Sequence, residues 1–397
     1  MSLFREHGSL APLLGALCVF ATMTIWLDAA YAERCFQASI LILTAHAVVR
    51  RKLARPTLVI AALGAIALWG PLQLAMSWSV YQYETWVAAL RWTTFLAVFF
   101  LAFEAFQESD LRRSALTALA LFGAVLAALS TLQAYSSHGN YFWLFESGQP
   151  DVFGPFQSRN NYASFIELTL PLVLWEGLGR GQRRSVWLAL AGMMAASVIA
   201  SGSRAGSALV LAEIPAVLVV AWLRRQLPGR QLATVGAIVL AAVAVWIGVT
   251  GWETLERKLG AADPFVNRRE MLQSATAMVH DRPWTGFGLG SFPTVYPAYA
   301  VFDIGFFVNH AHNDWAEWAS EGGLPFLLLL AGLATVSTVP AIRSGWGLGL
   351  IAVYAHAFVD YPMQRTGLAI WVFVIGAALA AETMARAHKT RTAGRDA

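Results

Sequence analysis

Residues 309–323 read NHAHNDWAEWASEGG and place two histidines and three carboxylates just before a strongly apolar run. Histidine exchanges a proton near neutral pH, so His312, with Asn313 beside it, can activate or orient a hydroxyl nucleophile. Glu321 is about two and a half helical turns beyond His312 and would face elsewhere on a helix. It fits better as a partner for an arginine or as a structural brace. His310 is a candidate for substrate binding, with a packing role as the alternative.

Arginines occupy the edges of several apolar runs, on the same side of the chain as these histidines. Arg204 sits in SGSRAGS, a connection so short that its charge must lie close to hydrocarbon. Such a charge is costly unless it is paired or hydrated, and it usually marks function. The other arginines placed in this way are Arg159 with its neighbour Asn160, the tandem Arg268 and Arg269, and Arg365.

The chemistry of these arginines favours a phosphate ligand. A guanidinium is planar, permanently charged and able to donate two parallel hydrogen bonds, and a helix N-terminus adds further attraction for anions. An anionic lipid headgroup fits this set, and a lipid diphosphate fits it best. The alternative is that the arginines bind phospholipid headgroups or pair with nearby carboxylates. Those carboxylates are Asp303, Asp314, Glu317, Glu321 and Asp360.

Two other motifs have residues that could form a ligand site. The sequence HAHND offers two imidazoles and a carboxylate, but zinc and manganese sites more often use helical i, i+4 spacing or separate elements. We therefore expect no metal. The sequence GFGLG follows a helix and has no βαβ unit around it, so it predicts a tight turn with close backbone approach and not a nucleotide site.

The composition places these residues in a membrane protein. The chain has 397 residues, of which 57% are hydrophobic and only 13% are charged. A helical span needs about 20 mostly apolar residues. The sequence predicts an all-α integral membrane protein with about twelve spans. They lie near 10–27, 35–49, 57–76, 85–106, 114–135, 160–179, 185–201, 205–223, 231–250, 322–340, 345–360 and 366–384.

The distribution of basic residues sets the orientation. With the N-terminus in the cytoplasm, every inward connection and the C-terminal tail are basic, as the positive-inside rule requires. The excess of positive charge, +4 overall, is thus mostly a signal of topology. Because the basic residues are spread over the inward connections, they do not indicate a nucleic-acid-binding surface. We expect the first apolar run to be an uncleaved helix. Inside the spans, His46 and His356 are expected to hydrogen-bond across helices. Glu167 and Glu213 could orient a site arginine.

Two outward loops interrupt the spans, at 136–159 and 251–321, and divide the chain into three regions. These are N-terminal spans at 1–135, a core with both loops at 136–340, and C-terminal spans with a tail at 341–397. In the longer loop, Asp263-Pro264 predicts a helix start and Asp281-Arg282-Pro283 predicts its end. Apolar residues at helical spacing indicate an amphipathic helix between them.

Four motifs in order resemble those of the O-antigen ligase and O-antigen polymerase superfamily. They are GPFQSRNNYASF, GSRAGSALV, NRREMLQSATAMVHDRPWTGFGLGSF and HAHNDWAEWASEGGLPFLLLL, and HAFVDYPMQ at 356–364 is similar to some exopolysaccharide members. The resemblance covers about residues 150–340. This sequence departs from the family's pattern at Leu272, where the loop helix of the family usually has Trp. It also leaves open which of the tandem Arg268 and Arg269 faces the site.

The resemblance implies a multi-span enzyme of the bacterial inner membrane, with both termini cytoplasmic and its active site on the periplasmic side. Such enzymes take a glycan from an undecaprenyl-diphosphate carrier and pass it to lipid A core, to a growing glycan or to protein, without metal or cofactor. By resemblance, Arg204 and Arg268 face the diphosphate and His312 activates or orients the acceptor hydroxyl. Arg159, Asn160, Arg269, His310, Asn313, Glu321 and Arg365 are expected to bind substrate.

Two other kinds of protein remain as alternatives. A flippase or transporter of lipid-linked sugar would also have many spans and outward arginines. Transporters, however, place their polar sites near the bilayer midplane, whereas the polar residues here concentrate at one surface. A membrane scaffold with a folded outer loop would leave the site arginines dispensable.

Overall fold

The computed structural model describes residues 2–27, 30–50, 57–148, 152–179, 183–226, 228–250, 266–303, 305 and 307–393. These residues form an all-α integral membrane protein with a single two-stranded hairpin in the described parts. The first nine helices are α1 Ser2–Met23, α2 Tyr31–Arg50, α3 Leu58–Ala75, α4 Gln82–Ala105, α5 Ser109–Ser136, α6 Arg159–Leu178, α7 Arg184–Ser201, α8 Arg204–Leu223 and α9 Gly229–Thr250. The remaining helices are α10 Val266–Asp281, α11 Phe292–Val295, α12 Asp314–Ser344, α13 Gly349–His356 and α14 Thr366–Ala393, with short 3-10 turns at Tyr296–Ala298 and Pro362–Gln364.

Each of the twelve predicted apolar runs coincides with a helix. Seven helices of the described chain are long and apolar enough to cross a membrane, namely α3, α4, α5, α7, α8, α12 and α14. The eleventh run differs from the prediction, because it contains only the eight residues of α13. At a rise of about 1.5 Å per residue, that helix is too short to cross alone. The total of twelve spans therefore stays a prediction.

The segment around α13 nevertheless runs along the whole of α6 in the opposite direction. Gly345 lies against the ring of Trp175, near the end of α6, and Gly349 lies against the backbone of Glu167 and Leu168. At the other extreme, Asp360 contacts Asn160 at the start of α6. The eleventh run thus reaches the same end of the bundle that a full helix would have reached.

The long loop builds a small apolar core of its own on that end of the bundle. The predicted amphipathic helix is α10, and its Met271, Ala275 and Met278 are buried. They pack with Phe287, Phe292, Val295, Tyr296, Val308 and Ala311. The predicted end at Asp281 is confirmed, whereas the predicted start at Asp263-Pro264 lies outside the described residues.

The shorter loop forms the hairpin, β1 Asn140–Tyr141 paired with β2 Phe145–Glu146. Its aromatic side chains pack on Trp26 just after α1, with ring centroids 5.1 Å apart for Tyr141 and 4.8 Å for Phe145. Both loops therefore lie at one end of the bundle. We call it the polar end, and define it by Asn160, Ser203, His312 and Asp360.

Candidate functional site

Asp360 is the residue at which the distant motifs of the sequence meet. Its carboxylate accepts a hydrogen bond from Asn160 Nδ2 and one from Arg268 Nη2 at 3.3 Å, both on Oδ2. The backbone N–H of Tyr361 donates to Oδ1 at 2.8 Å. His312 Nδ1 lies 3.5 Å from the same Oδ1. One carboxylate thus holds together residues from α6, the long loop, the turn before α12 and the turn after α13.

The electrostatics of this cluster keep Asp360 ionised. Its side chain is 1% exposed, and burial alone would raise its pKa. The interaction with His312 and the charge of Arg268 outweigh burial and lower the pKa to about 2. Tyr361, beside it, has its pKa raised to about 12 by burial and by the Asp360 charge, so its phenol stays neutral.

His312 is held in a backbone conformation that side chains seldom adopt. Its φ is 49°, in the left-handed region, which is uncommon for residues other than glycine, although asparagine, aspartate and histidine adopt it more often than the rest. The next residue, Asn313, caps α12, and its Oδ1 accepts from the N–H of Ala316 at 3.0 Å. The turn therefore directs His312 to Asp360 at the point where α12 begins. Non-glycine residues in this region often occur at functional sites.

His310 is fixed by a different carboxylate. Its Nδ1 lies 2.9 Å from Glu317 Oε1, and Glu317 Oε2 accepts from the N–H of Ala311 at 2.7 Å. The rings of both histidines contact Tyr361, since centroid distances are 4.4 Å for His310 and 4.8 Å for His312. Tyr361 therefore separates the two imidazoles.

Arg204 begins α8 at the edge of the same cluster. Ser203 caps this helix, and its hydroxyl also donates to Asn160 Oδ1 at 2.8 Å. Asn160 therefore links the small-Ser-Arg turn to Asp360. Arg204 is partly buried, and so is Arg159, which begins α6 next to Asn160.

The tandem arginines of α10 have different surroundings. Arg268 donates to Asp360 and also to the carbonyl of Val359, at 2.8 Å through Nη1. Arg269, the next residue, is exposed. The arginine that joins the Asp360 cluster is therefore Arg268, a point that the sequence left open.

Glu321 braces the glycine-rich turn. Its side chain accepts from the N–H of Phe292 at 2.9 Å, and its carbonyl accepts from the N–H of Gly288 at 2.9 Å. Gly286 has a φ of 63°, and a Cβ there would lie 2.1 Å from the Glu321 carbonyl oxygen. The predicted tight turn with close backbone approach is thus confirmed. These contacts support the structural role for Glu321 over a role in substrate binding.

Arg365 has its hydrogen-bond partners outside the Asp360 cluster. Its Nη2 donates to the Ile25 carbonyl at 2.9 Å and to Gln157 Oε1 at 3.3 Å. It lines a polar cavity that His310 also lines. The predicted substrate-binding residues are therefore divided between two places at the polar end.

A buried ion-pairing contact inside the bundle supports the Asp360 turn. His356 Nδ1 lies 2.8 Å from Glu167 Oε1, and the two side chains are 1% and 0% exposed. The prediction that His356 bonds across helices is confirmed, but Glu167 has this histidine as its partner and not a site arginine. Asn160 lies on α6 with Glu167, and the N–H of Asp360 donates to the His356 carbonyl at 3.0 Å, so the pair aligns Asn160 with Asp360.

We expect Glu167→Ala to destabilise the protein by about 3–5 kcal/mol, because it leaves His356 buried without its partner. Glu167→Gln keeps a hydrogen-bond acceptor and should cost much less. The measurement is thermal unfolding in detergent, with His356→Ala and the double variant completing a cycle. Additive losses in the double variant would contradict the coupling, since a shared interaction makes the second loss smaller.

Two contributors to the cluster were missed as functional candidates. The sequence indicates Asp360 only as a carboxylate that could pair with an arginine, and it gives Tyr361 no predicted role. The motif HAFVDYPMQ carried the signal, because it places a carboxylate and a phenol beside Arg365. Within the ranges that the structure describes, no three His, Cys, Asp or Glu side chains are grouped to hold a metal ion.

This chain is similar to known proteins, and one match covers the part that contains this cluster's Arg268 and His312. The family model described as O-antigen ligase matches residues 188–331, which include Arg204, Arg268 and His312. An O-antigen ligase from Pseudomonas aeruginosa is 26% identical over 314 residues, covering 76% of this chain and 73% of that protein. Both matches support the O-antigen ligase superfamily that the motifs predict. This similarity supports glycan transfer of the ligase or polymerase type, and the Asp360 cluster is the candidate active site.

Proposed function

We propose that this protein transfers a glycan from an undecaprenyl-diphosphate carrier to a hydroxyl acceptor on the periplasmic face of the inner membrane. The observation that carries the proposal is the Asp360 carboxylate, which gathers Arg268, Asn160 and His312 at one end of the bundle. The cluster therefore contains a cationic group for a leaving diphosphate, Arg268, and a basic group for an attacking hydroxyl, His312.

The arginines would act on the leaving group. When the bond between the anomeric carbon and the diphosphate oxygen breaks, its electron pair stays on the undecaprenyl diphosphate. Arg268 and Arg204 would neutralise the charge that develops there, and fixed cations in a site shielded from water are effective in this role. Asp360 and the Val359 carbonyl hold the Arg268 guanidinium in place before the substrate arrives.

His312 would act on the acceptor. The acceptor oxygen forms the new bond to the anomeric carbon, and its proton passes to Nε2 of the imidazole. Since Nδ1 faces Asp360 at 3.5 Å, the carboxylate orients the ring and stabilises the imidazolium that forms. Because its neighbours lower the pKa of Asp360 to about 2, the carboxylate is ionised at neutral pH and can serve this role.

An apolar groove beside the cluster suits the carrier's isoprenoid tail. It has a volume of about 320 Å³ and runs between α3, α4, α12, α13 and α14. One end is lined by Trp315, Trp318 and Met363, which closely follow His312 and Asp360 in the chain. The other end reaches Thr383 and Ala387 near the end of α14. A lipid whose headgroup sits at the cluster can therefore place its tail in this groove.

The test is transfer by the purified protein in nanodiscs, supplied with an undecaprenyl-diphosphate-linked glycan and an acceptor. The wild type should form a new glycosidic bond, seen by gel shift and mass spectrometry. We expect His312→Ala to reduce the rate by about 10²–10⁴-fold, the usual contribution of a positioned acid or base. Normal transfer by a folded His312→Ala protein would remove the histidine from the mechanism.

The same preparation separates the enzyme from the flippase alternative. A flippase moves the lipid-linked glycan between leaflets of a liposome and makes no new bond. Deletion of the protein in cells then identifies the acceptor. Lipid A core without long chains indicates a ligase, capped single repeats indicate a polymerase, and loss of exopolysaccharide alone indicates a slime or capsule polymer.

A further inference from the structure

A second basic cavity lies at the polar end, beside the turn that contains Gln364 and Arg365. Its volume is about 260 Å³. It is closed by the last turn of α1, the first turn of α2, the middle of α4 and the turn that precedes α14. The polar side chains that line it and carry the argument are Glu33, Arg91, His310, Gln364, Arg365 and Thr366.

The lining is arranged to bind both charge and hydroxyl groups. Arg91 Nε lies 3.5 Å from Glu33 Oε1, and the Thr366 hydroxyl donates to the same Oε1 at 2.6 Å. Arg91 also approaches Gln364 Oε1 at 3.5 Å. The two contacts of Arg91 are long, so its guanidinium can turn to a ligand at little cost.

The charges of the described lining favour an anion. Arg365 donates to two uncharged groups, the Ile25 carbonyl and Gln157 Oε1, which orient its guanidinium without neutralising it. Two guanidiniums therefore face one carboxylate in the described part of the cavity. Guanidinium pairs bind phosphate and carboxylate groups, whereas the Glu33 carboxylate and the Gln364 amide oxygen accept from sugar hydroxyls.

The cavity also adjoins the Asp360 cluster, through His310 and Tyr361. His310 lines it and stacks on Tyr361, and His312 contacts the same Tyr361 ring. Gln364 and Arg365 belong to the turn that starts at Asp360. A ligand in the cavity would therefore lie beside the Tyr361 ring that His312 also contacts, close to the proposed reaction centre.

We propose that this second basic cavity binds the acceptor, and that the acceptor is a saccharide carrying a phosphate or carboxylate group. The assignment rests on the proposed glycan transfer and adds the position and charge of the acceptor. The volume is near the lower end of the range of about 300–1,000 Å³ that is typical of ligand sites. The cavity thus takes the end of an acceptor chain and leaves the rest outside.

The test is competition by small sugars in the transfer assay. The nanodiscs contain phosphatidylcholine and the donor, with no anionic phospholipid. Glucose 6-phosphate should inhibit competitively against the acceptor. The inhibition constant of glucose should be at least about tenfold higher, because glucose lacks one charge-assisted hydrogen-bonded pair. Arg365→Gln and Arg91→Gln should remove most of this difference and raise KM for the acceptor about tenfold, with KM for the donor unchanged. Arg34→Gln, next to Glu33 but outside the cavity lining, is the matched control.

Each outcome decides the question. If the wild type makes no glycosidic bond, the proposed function itself fails. If it does, and the two variants keep the preference for glucose 6-phosphate, the cavity assignment alone is wrong. A raised KM for the donor would place the cavity in the donor site and overturn the proposal. So would an effect that appears only in nanodiscs containing phosphatidylglycerol, because the cavity would then hold a phospholipid headgroup. Arg91→Lys, which keeps the charge and loses the planar fork, covers the case in which Arg91→Gln fails to fold.

Discussion

Asp360→Asn is expected to reduce glycan transfer by at least about 100-fold while the protein still inserts and folds. Three donors reach the carboxylate, from Asn160, Arg268 and Tyr361, and His312 Nδ1 lies 3.5 Å from it. An amide has one acceptor oxygen and one NH₂ group, so either orientation sets a donor against donors. The substitution also removes the charge that stabilises a protonated His312. Both effects act on the reacting groups.

The measurement is the initial rate of transfer in nanodiscs, with size-exclusion profile and thermal unfolding as checks on the fold. Asp303→Asn is the matched control, because Asp303 accepts from the N–H of Gly305 at 2.8 Å and an amide oxygen can replace that acceptor. The control should transfer at nearly the wild-type rate. If Asp360→Asn did the same, the cluster around it could not be the reaction centre.

The low pKa of Asp360 also sets the sign of a pH effect. A carboxyl group whose pKa is lowered by folding stabilises the native state above its unfolded value of about 3.9. That stabilisation is lost only as the pH falls through the folded value, about 2. Between pH 5 and pH 9, Asp360 should therefore contribute no inflection to the rate, and any that appears belongs to another group.

The helices could be predicted from the sequence because their causes are local. Apolar runs long enough to cross a membrane show directly in the sequence, and α10 shows its buried face through the spacing of Met271, Ala275 and Met278. The eleventh run was harder to predict, because an apolar segment that packs along α6 need not be helical throughout. Its irregular backbone is buried within the protein, where hydrogen bonds to neighbouring elements replace those of a helix.

The site could be predicted only in part, because its central contact joins residues far apart in the chain. Asp360 is 92 residues from Arg268 and 200 residues from Asn160. The types of side chain identified the arginines and His312, and the resemblance placed them in order. Neither could show that one carboxylate holds them, since that depends on how α6, α10 and α13 pack. The choice between Arg268 and Arg269 depended on the rotation of α10, which is also a packing property.

Arg268→Ala should lower the rate of transfer by about 10²–10³-fold, the cost of removing one fixed group that stabilises developing charge. The effect should fall on kcat more than on KM for the donor, because the charge on the diphosphate grows as the bond breaks. Arg268→Lys keeps the charge but can no longer donate to both Asp360 and the Val359 carbonyl from one planar group. It should recover only part of the activity.

The neighbouring arginine supplies the contrast that makes this result specific. Arg269→Ala removes the same guanidinium one position along α10, from an exposed side chain, and should lower the rate far less than Arg268→Ala. The comparison is made as kcat and KM for donor and acceptor, in nanodiscs of one composition. Equal losses from both positions would mean that α10 attracts the diphosphate only through its total charge. A larger loss at Arg269 would mean that the helix turns on binding substrate, and the Arg268–Asp360 contact would then belong to the resting enzyme alone.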